Sequence, residues 1–144
     1  MSNNYGFTII ELLVVIAIIT IVGAIALPVS IDFQKRNDLD VAQVTFVQGV
    51  RRAQQMSMSG EVDSAWGVAA VSGKIVIFKG ASYAARDVNY DENYDLSTAI
   101  SISGQAEYDF ALTTGMPAQI GTLTLTNGNY QKTVGVNAKG IVNY

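Results

Sequence analysis

The 144-residue chain has no cysteine and no histidine. Without cysteine there is no disulfide, no thiolate metal site and no cysteine nucleophile. Without histidine the commonest general base and the commonest transition-metal ligand are both missing. Charge is thin, 15% of residues, with nine basic against twelve acidic side chains for a net −3. That balance argues against a general nucleic-acid binder. The last twenty residues hold only Lys132 and Lys139, too little charge for direct DNA capture. No Lys or Arg precedes Lys35, so the basic n-region of an ordinary secretory signal peptide is absent too. No Ser or Thr has a base at the spacing of a known nucleophile motif. The chain reads as no enzyme, with no cofactor.

What is present is one long apolar run. From Phe7 to Leu27 every side chain is apolar, Gly or Thr, except Glu11. As a helix those residues rise about 1.5 Å each, roughly 30 Å in all, which matches a bilayer core. The run is rich in Ile and Val, which favour strand in water, but lipid forces internal hydrogen bonding and hence helix. It is longer than a signal-peptide core of about 7–15 residues, so a retained anchor is expected. A carboxylate at a helix centre in lipid costs about 2.5–3.5 kcal/mol, less near an end. Glu11 therefore needs a reason to be there.

Pro28 should kink the helix, because it removes one i→i−4 bond. Beyond it Leu39, Ala42, Phe46, Val50, Ala53 and Met56 recur at spacings of three and four, the stripe of an amphipathic helix. Val41 and Val44 widen that stripe, and Asp38, Asp40, Gln43, Gln48, Arg51, Arg52 and Gln55 cover much of the rest. Gly60 can take the left-handed conformation that stops it. Past Gly60 the pattern turns to β. Ser72–Gly73 separates two apolar runs, residues 98–103 alternate, and Asn127–Gly128 signals a hairpin between alternating strands. A last turn at residues 137–140 leads into the final four residues. The expected fold is α+β: a long N-terminal helix, its first half transmembrane and its second half amphipathic, packed on a small antiparallel β-sheet head.

The stretch "GFTIIELLVVIAIITIVGAIALP" resembles the N-terminal signature of type IV pilins and type II secretion pseudopilins. The head, with a strand ending "FKG" and the segment "FALTTGMPAQIGTLTLTNGNYQKTVGVNAKGIV", is similar to that of FimT/GspH-type minor pilins. The resemblance implies cleavage by a prepilin peptidase between Gly6 and Phe7, N-methylation of Phe7, and assembly through Glu11 and Pro28. It further implies residues 1–6 as leader, 7–28 as transmembrane and filament-core helix, 29–60 as amphipathic helix and 61–144 as head. The family's leaders usually end in a basic residue before the glycine, and this one ends "NNY". Implied partners are other pilin or pseudopilin subunits, the peptidase and an inner-membrane assembly platform. The implied location is the bacterial inner membrane, single-pass, with the head outside the cytoplasm and later in a filament. An acid among greasy helices can pair with the Phe7 amine of a neighbour, giving register to otherwise nonspecific packing.

Two other constellations carry less. Asp87, Asn89, Asp91, Asn93 and Asp95 form an oxygen-rich run suited in principle to calcium, but without the glycine and distal glutamate of an EF-hand loop. Arg51 and Arg52 could meet a phosphate or an acid, although most such pairs sit on a solvated helix face. The alternative to a filament subunit is a membrane-tethered ligand-binding module that does not polymerise. Glu11 separates the two readings, since a mere tether gains nothing from it.

Overall fold

The computed structural model describes residues 6–144, the side chains of residues 25–29 excepted. One helix, α1, runs Ile9–Ser59. Contacts divide the chain into two compact units, one up to Gln34 and one from Lys35 to Tyr144. The boundary in packing thus falls within the stretch expected to be amphipathic helix. The side chain of Pro28, expected to kink the helix, lies outside the described residues, as does the leader up to residue 5.

In the first unit the described apolar side chains have no cover. Phe7, Ile9, Ile10, Leu12, Leu13, Ile16, Ile19 and Ile21 are all exposed. Thr20 is the one hydroxyl deep in this stretch, and it donates to the Ile16 carbonyl at 2.7 Å. That back-bond satisfies the group without any outside partner. Among the described residues no helix is long and apolar enough to cross a membrane.

The second unit is the head. After α1, a short 3₁₀ turn at Glu61–Asp63 leads to eight strands: β1 (Trp66–Val71), β2 (Lys74–Lys79), β3 (Asp87–Asp95), β4 (Ser101–Gly104), β5 (Glu107–Phe110), β6 (Gly121–Asn127), β7 (Tyr130–Val136) and β8 (Val142–Asn143). The single sheet expected is in fact two, each four-stranded and antiparallel, ordered β3-β2-β1-β5 and β4-β6-β7-β8. They share one core with the second half of α1. Leu39, Phe46 and Val50 meet Val68, Ile75, Ile77, Tyr108 and Phe110 from the first sheet and Leu123, Leu125, Val134 and Val136 from the second. The helix sits tightly on the first sheet at Gly49, where an added Cβ would lie 3.1 Å from Val68 Cγ2. This is an α+β pilin-like fold.

The expected stripe is buried in full, but Val41 and Val44 are exposed. The buried band turns the other way, to Gln43 and Val47. Gln43 can be buried because its Nε2 donates to the Thr133 carbonyl at 2.9 Å. The turn at the second hairpin also shifts by one residue. Asn127 pairs with Tyr130, so Gly128–Asn129 form the two-residue loop, with Gly128 at φ 61°. A glycine at the first loop position suits the II′ turn, whose twist matches the flanking strands.

Candidate functional site

The site begins where the helix begins. Gly6, Phe7 and Thr8 precede α1 in non-helical backbone, and nothing lies within 4 Å of where a Gly6 Cβ would be. Phe7 is 81% exposed. The Gly6–Phe7 bond is thus exposed and outside the helix. Thr8 is the N-cap: its Oγ1 accepts from the Glu11 N–H at 3.3 Å, and its carbonyl accepts from the Leu12 N–H at 3.2 Å. Thr8 and Glu11 therefore stand at the two ends of a T-x-x-E capping sequence. That signal is local, and it is easily passed over beside the more conspicuous apolar run. Glu11 lies in the first turn of α1, where the helix dipole favours a negative charge. Glu11 is exposed, and so are its apolar sequence neighbours Ile9, Ile10, Leu12 and Leu13.

The acidic run forms β3 itself, an edge strand, and not a loop. Alternate residues of a strand lie about 6.5–7 Å apart, so Asp87, Asn89, Asp91, Asn93 and Asp95 stand in a row and not around one point. Asp91 is held by Arg86, whose Nε reaches Oδ1 at 3.1 Å and Oδ2 at 2.8 Å. Asp87 Oδ1 accepts from both the backbone and side-chain nitrogens of Asn89. Among the described residues no group of three or more acids could hold a metal ion. Arg52 is also engaged: it donates to Glu92 at 2.6 Å, which takes a second bond from Tyr94 at 3.0 Å. Those two bonds, Arg52 first, hold the Glu92 carboxyl below its usual value. Arg51 lies over the Tyr144 ring at 5.8 Å.

One acid gives no sign of itself in the sequence. Asp109 on β5 is only 4% exposed, and its Oδ1 has no hydrogen-bond partner among the described residues. Gln119 clamps the rest of it. Gln119 Oε1 accepts from the Asp109 N–H at 2.9 Å, and Gln119 Nε2 donates to Oδ2 at 2.8 Å. Burial pushes the Asp109 carboxyl up to about 6, the Gln119 bond opposes it, and Glu107 on the same strand face adds to it. Strand alternation would place Glu107 and Asp109 on the solvent side, opposite the buried Tyr108. The loops on either side cover that face: the Tyr83 N–H donates to Glu107 at 2.7 Å and the Ala118 N–H to the Asp109 carbonyl at 2.8 Å. Periodicity carries no signal of such cover.

Comparison with known proteins bears on the helix start. Residues 1–27 match the family described as the prokaryotic N-terminal methylation motif. The match supports a type IV pilin-like prepilin, which implies processing by a prepilin peptidase and assembly with other pilin subunits in general terms. No curated protein and no solved structure matches the chain.

Proposed function

We propose that this chain is a structural subunit of a type IV pilus or type II secretion pseudopilus, in the manner of FimT/GspH-type minor subunits. Residues 7–28 insert in the inner membrane, the peptidase cuts between Gly6 and Phe7, Phe7 is N-methylated, and the helix then becomes filament core. The observation that carries this reading is the first unit of the fold. Its apolar side chains are exposed on every side of the described helix, from Ile9 to Val22, with a single acid in the first turn. Such a surface has no stable place in water and must be covered by lipid or by other helices. Thr20 is satisfied within the helix, so Glu11 is the group left for an outside partner.

In a bundle of such helices a cleaved Phe7 amine and a neighbouring Glu11 would be desolvated together. Removing one member leaves an unpaired buried charge, worth about 3–5 kcal/mol. Incorporation into filaments, measured by shearing and immunoblot at matched membrane level, should therefore collapse in Glu11→Ala. Glu11→Gln keeps the shape and loses the charge, and should fall nearly as far. Equal yields in all three proteins would overturn the proposal and favour the membrane-tethered module.

A further inference from the structure

We propose that residues 116–120 form a strap over the outer edge of β5, which Asp109 pins shut when neutral and releases when ionised. The opened form presents a free sheet edge. The device lies wholly within the head and is independent of the filament reading.

β5 is the last strand of its sheet, so one side of its backbone has no partner strand. Residues 116–120 take that place. The Ala111 N–H donates to the Met116 carbonyl at 2.9 Å, and Phe110 bridges to Pro117. The remaining grip on β5 falls on one residue. The Ala118 N–H donates to the Asp109 carbonyl at 2.8 Å, while Gln119 accepts from the Asp109 N–H and donates to Oδ2. Side-chain burial adds little to this hold. None of residues 116–120 is buried, and Met116 and Ile120 are more than half exposed. A segment held by hydrogen bonds without apolar burial opens at less cost than the whole fold. Gly115 at φ 63° and Gly121 at φ 152° flank it, two residues with the backbone freedom of hinges.

The pin is a carboxyl in a place unsuited to charge. A Cβ added at Gly67 would lie 2.8 Å from Asp109 Oδ1 and would strike the Phe78 ring, so this oxygen lies over β1 beside an aromatic side chain. It is buried and has no partner among the described residues. A buried carboxylate oxygen without a donor is costly, whereas a protonated one can itself donate. Glu107, on the same face of β5, is the acceptor in reach, and a like charge once both are ionised. The other elements packed here bring Gly67 from β1, Phe78 from β2, Gln119 from the strap and Tyr83 from the turn after β2. Arg86 lies over the Tyr83 ring but is bound to Asp91. Burial and Glu107 therefore outweigh the Gln119 bond, and the closed strap holds the acid at about 6 against an ordinary 3.8. Opening hydrates the carboxyl and returns it to the ordinary value. Closure is thus fully supported below pH 4 and weakens as pH rises through 6.

Amide exchange of the full-length chain in non-ionic micelles, corrected for the intrinsic pH dependence of exchange, tests the device. The Asp109 and Ala118 amides should lose protection on the order of fiftyfold between pH 4 and 7.5. At pH 7.5 they should exchange faster than those of Val68 and Ile77 in the sheet interior. Their rates should also ignore dilute urea, the mark of a local opening. Asp109→Asn, with Trp66 fluorescence confirming its fold, should hold protection flat across this range. Exchange at the rate and urea slope of Val68 at both pH values would mean that the strap opens only with the whole head, and the proposal falls. A local opening that ignores pH, or whose pH dependence survives in Asp109→Asn, overturns it as well. The wild-type profile decides the matter even where the variant fails to fold.

Discussion

Residues 7–22 and residues 39–56 belong to the same helix and are both rich in large apolar side chains, yet the structure disposes of them in opposite ways. In the first stretch Ile9, Leu13, Ile16 and Ile19 face outward with nothing over them. In the second Leu39, Phe46 and Val50 are buried almost to zero. The difference lies in what surrounds each hydrophobe in sequence. Asp38, Asp40, Gln48, Arg51 and Gln55 confine the apolar residues of the second stretch to one side, so two sheets of the same chain can cover them. The first stretch is apolar all round, and no single sheet could cover it. A hydrophobe with a side has its partner inside the chain, and a hydrophobe without one is left uncovered by it.

The sharpest way to break that contrast is to make the same kind of truncation in both stretches. Phe46→Ala should lower the stability of the head by about 3–5 kcal/mol, the usual loss when a buried aromatic is emptied. Ile16→Ala should leave head stability unchanged. The single tryptophan, Trp66, is buried in the head and reports it alone, so denaturant unfolding of detergent-solubilised full-length chain by Trp fluorescence measures both. A shifted midpoint in Ile16→Ala would show that the two stretches share one folding unit.

The next largest effect is a pH dependence confined to the head. The folded Asp109 carboxyl titrates near 6, above its ordinary value of 3.8. The native state therefore binds this proton more tightly than the unfolded state. The corresponding stability is fully present below pH 4 and is lost as pH rises through 6, on the order of 2–3 kcal/mol. Asp109→Asn should remove this dependence, because an amide carries no charge to desolvate and still accepts from Gln119. The variant should be the more stable protein at pH 7 and differ little at pH 4. A wild-type head whose midpoint rises steadily from pH 4 to 7, with Asp109→Asn tracking it, would contradict the assignment.

Where the sequence was legible, one face of one element decided the outcome. The 3.6-residue stripe of α1, its stop at Gly60 and the hairpin at Ser72–Gly73 all come from spacing or turn chemistry within a few residues. What could not be read depended on two elements meeting. Gln43 is inside because Thr133, ninety residues away, offers it a carbonyl. Asp109 is covered because the loop carrying Gln119 folds back over an outward-facing strand position. The division into two sheets rests on β5 pairing with β1 while β4 pairs with β6, and no local pattern separates those partners. At the helix start, Glu11 stood out because an acid in an apolar run is anomalous. Its N–H bond to Thr8 was equally local and required only that the capping sequence be recognised.

That cap supplies a smaller test, confined to the first unit. Thr8→Ala should weaken the first turn of α1 by about 1 kcal/mol, the usual loss for an N-cap hydroxyl. Amide exchange at Glu11 and Leu12 should quicken roughly fivefold in micelles, with exchange in the head untouched. Unchanged protection would mean that the helix start is held by something other than Thr8.

The smallest effect compares the two regions by charge. Arg52 and Glu92 form a close pair in the head, but their side chains are 54% and 31% exposed. Water competes for both partners, so Arg52→Gln should cost less than about 1 kcal/mol of head stability. Most of that should vanish at 1 M salt, where the screening length is about 3 Å. The Arg52 bond holds the Glu92 carboxyl below its ordinary 4.5. The pair's contribution is therefore present above pH 4.5 and is lost as pH falls through the lowered value, opposite in sign to Asp109. Glu11 would behave otherwise. If its partner is a neighbour's amine inside a dry helix bundle, salt cannot reach the pair, and filaments once formed should withstand 1 M salt. Salt-labile filaments beside a salt-insensitive Arg52→Gln difference would reverse the contrast, placing the desolvated charge in the head and the solvated one in the helix.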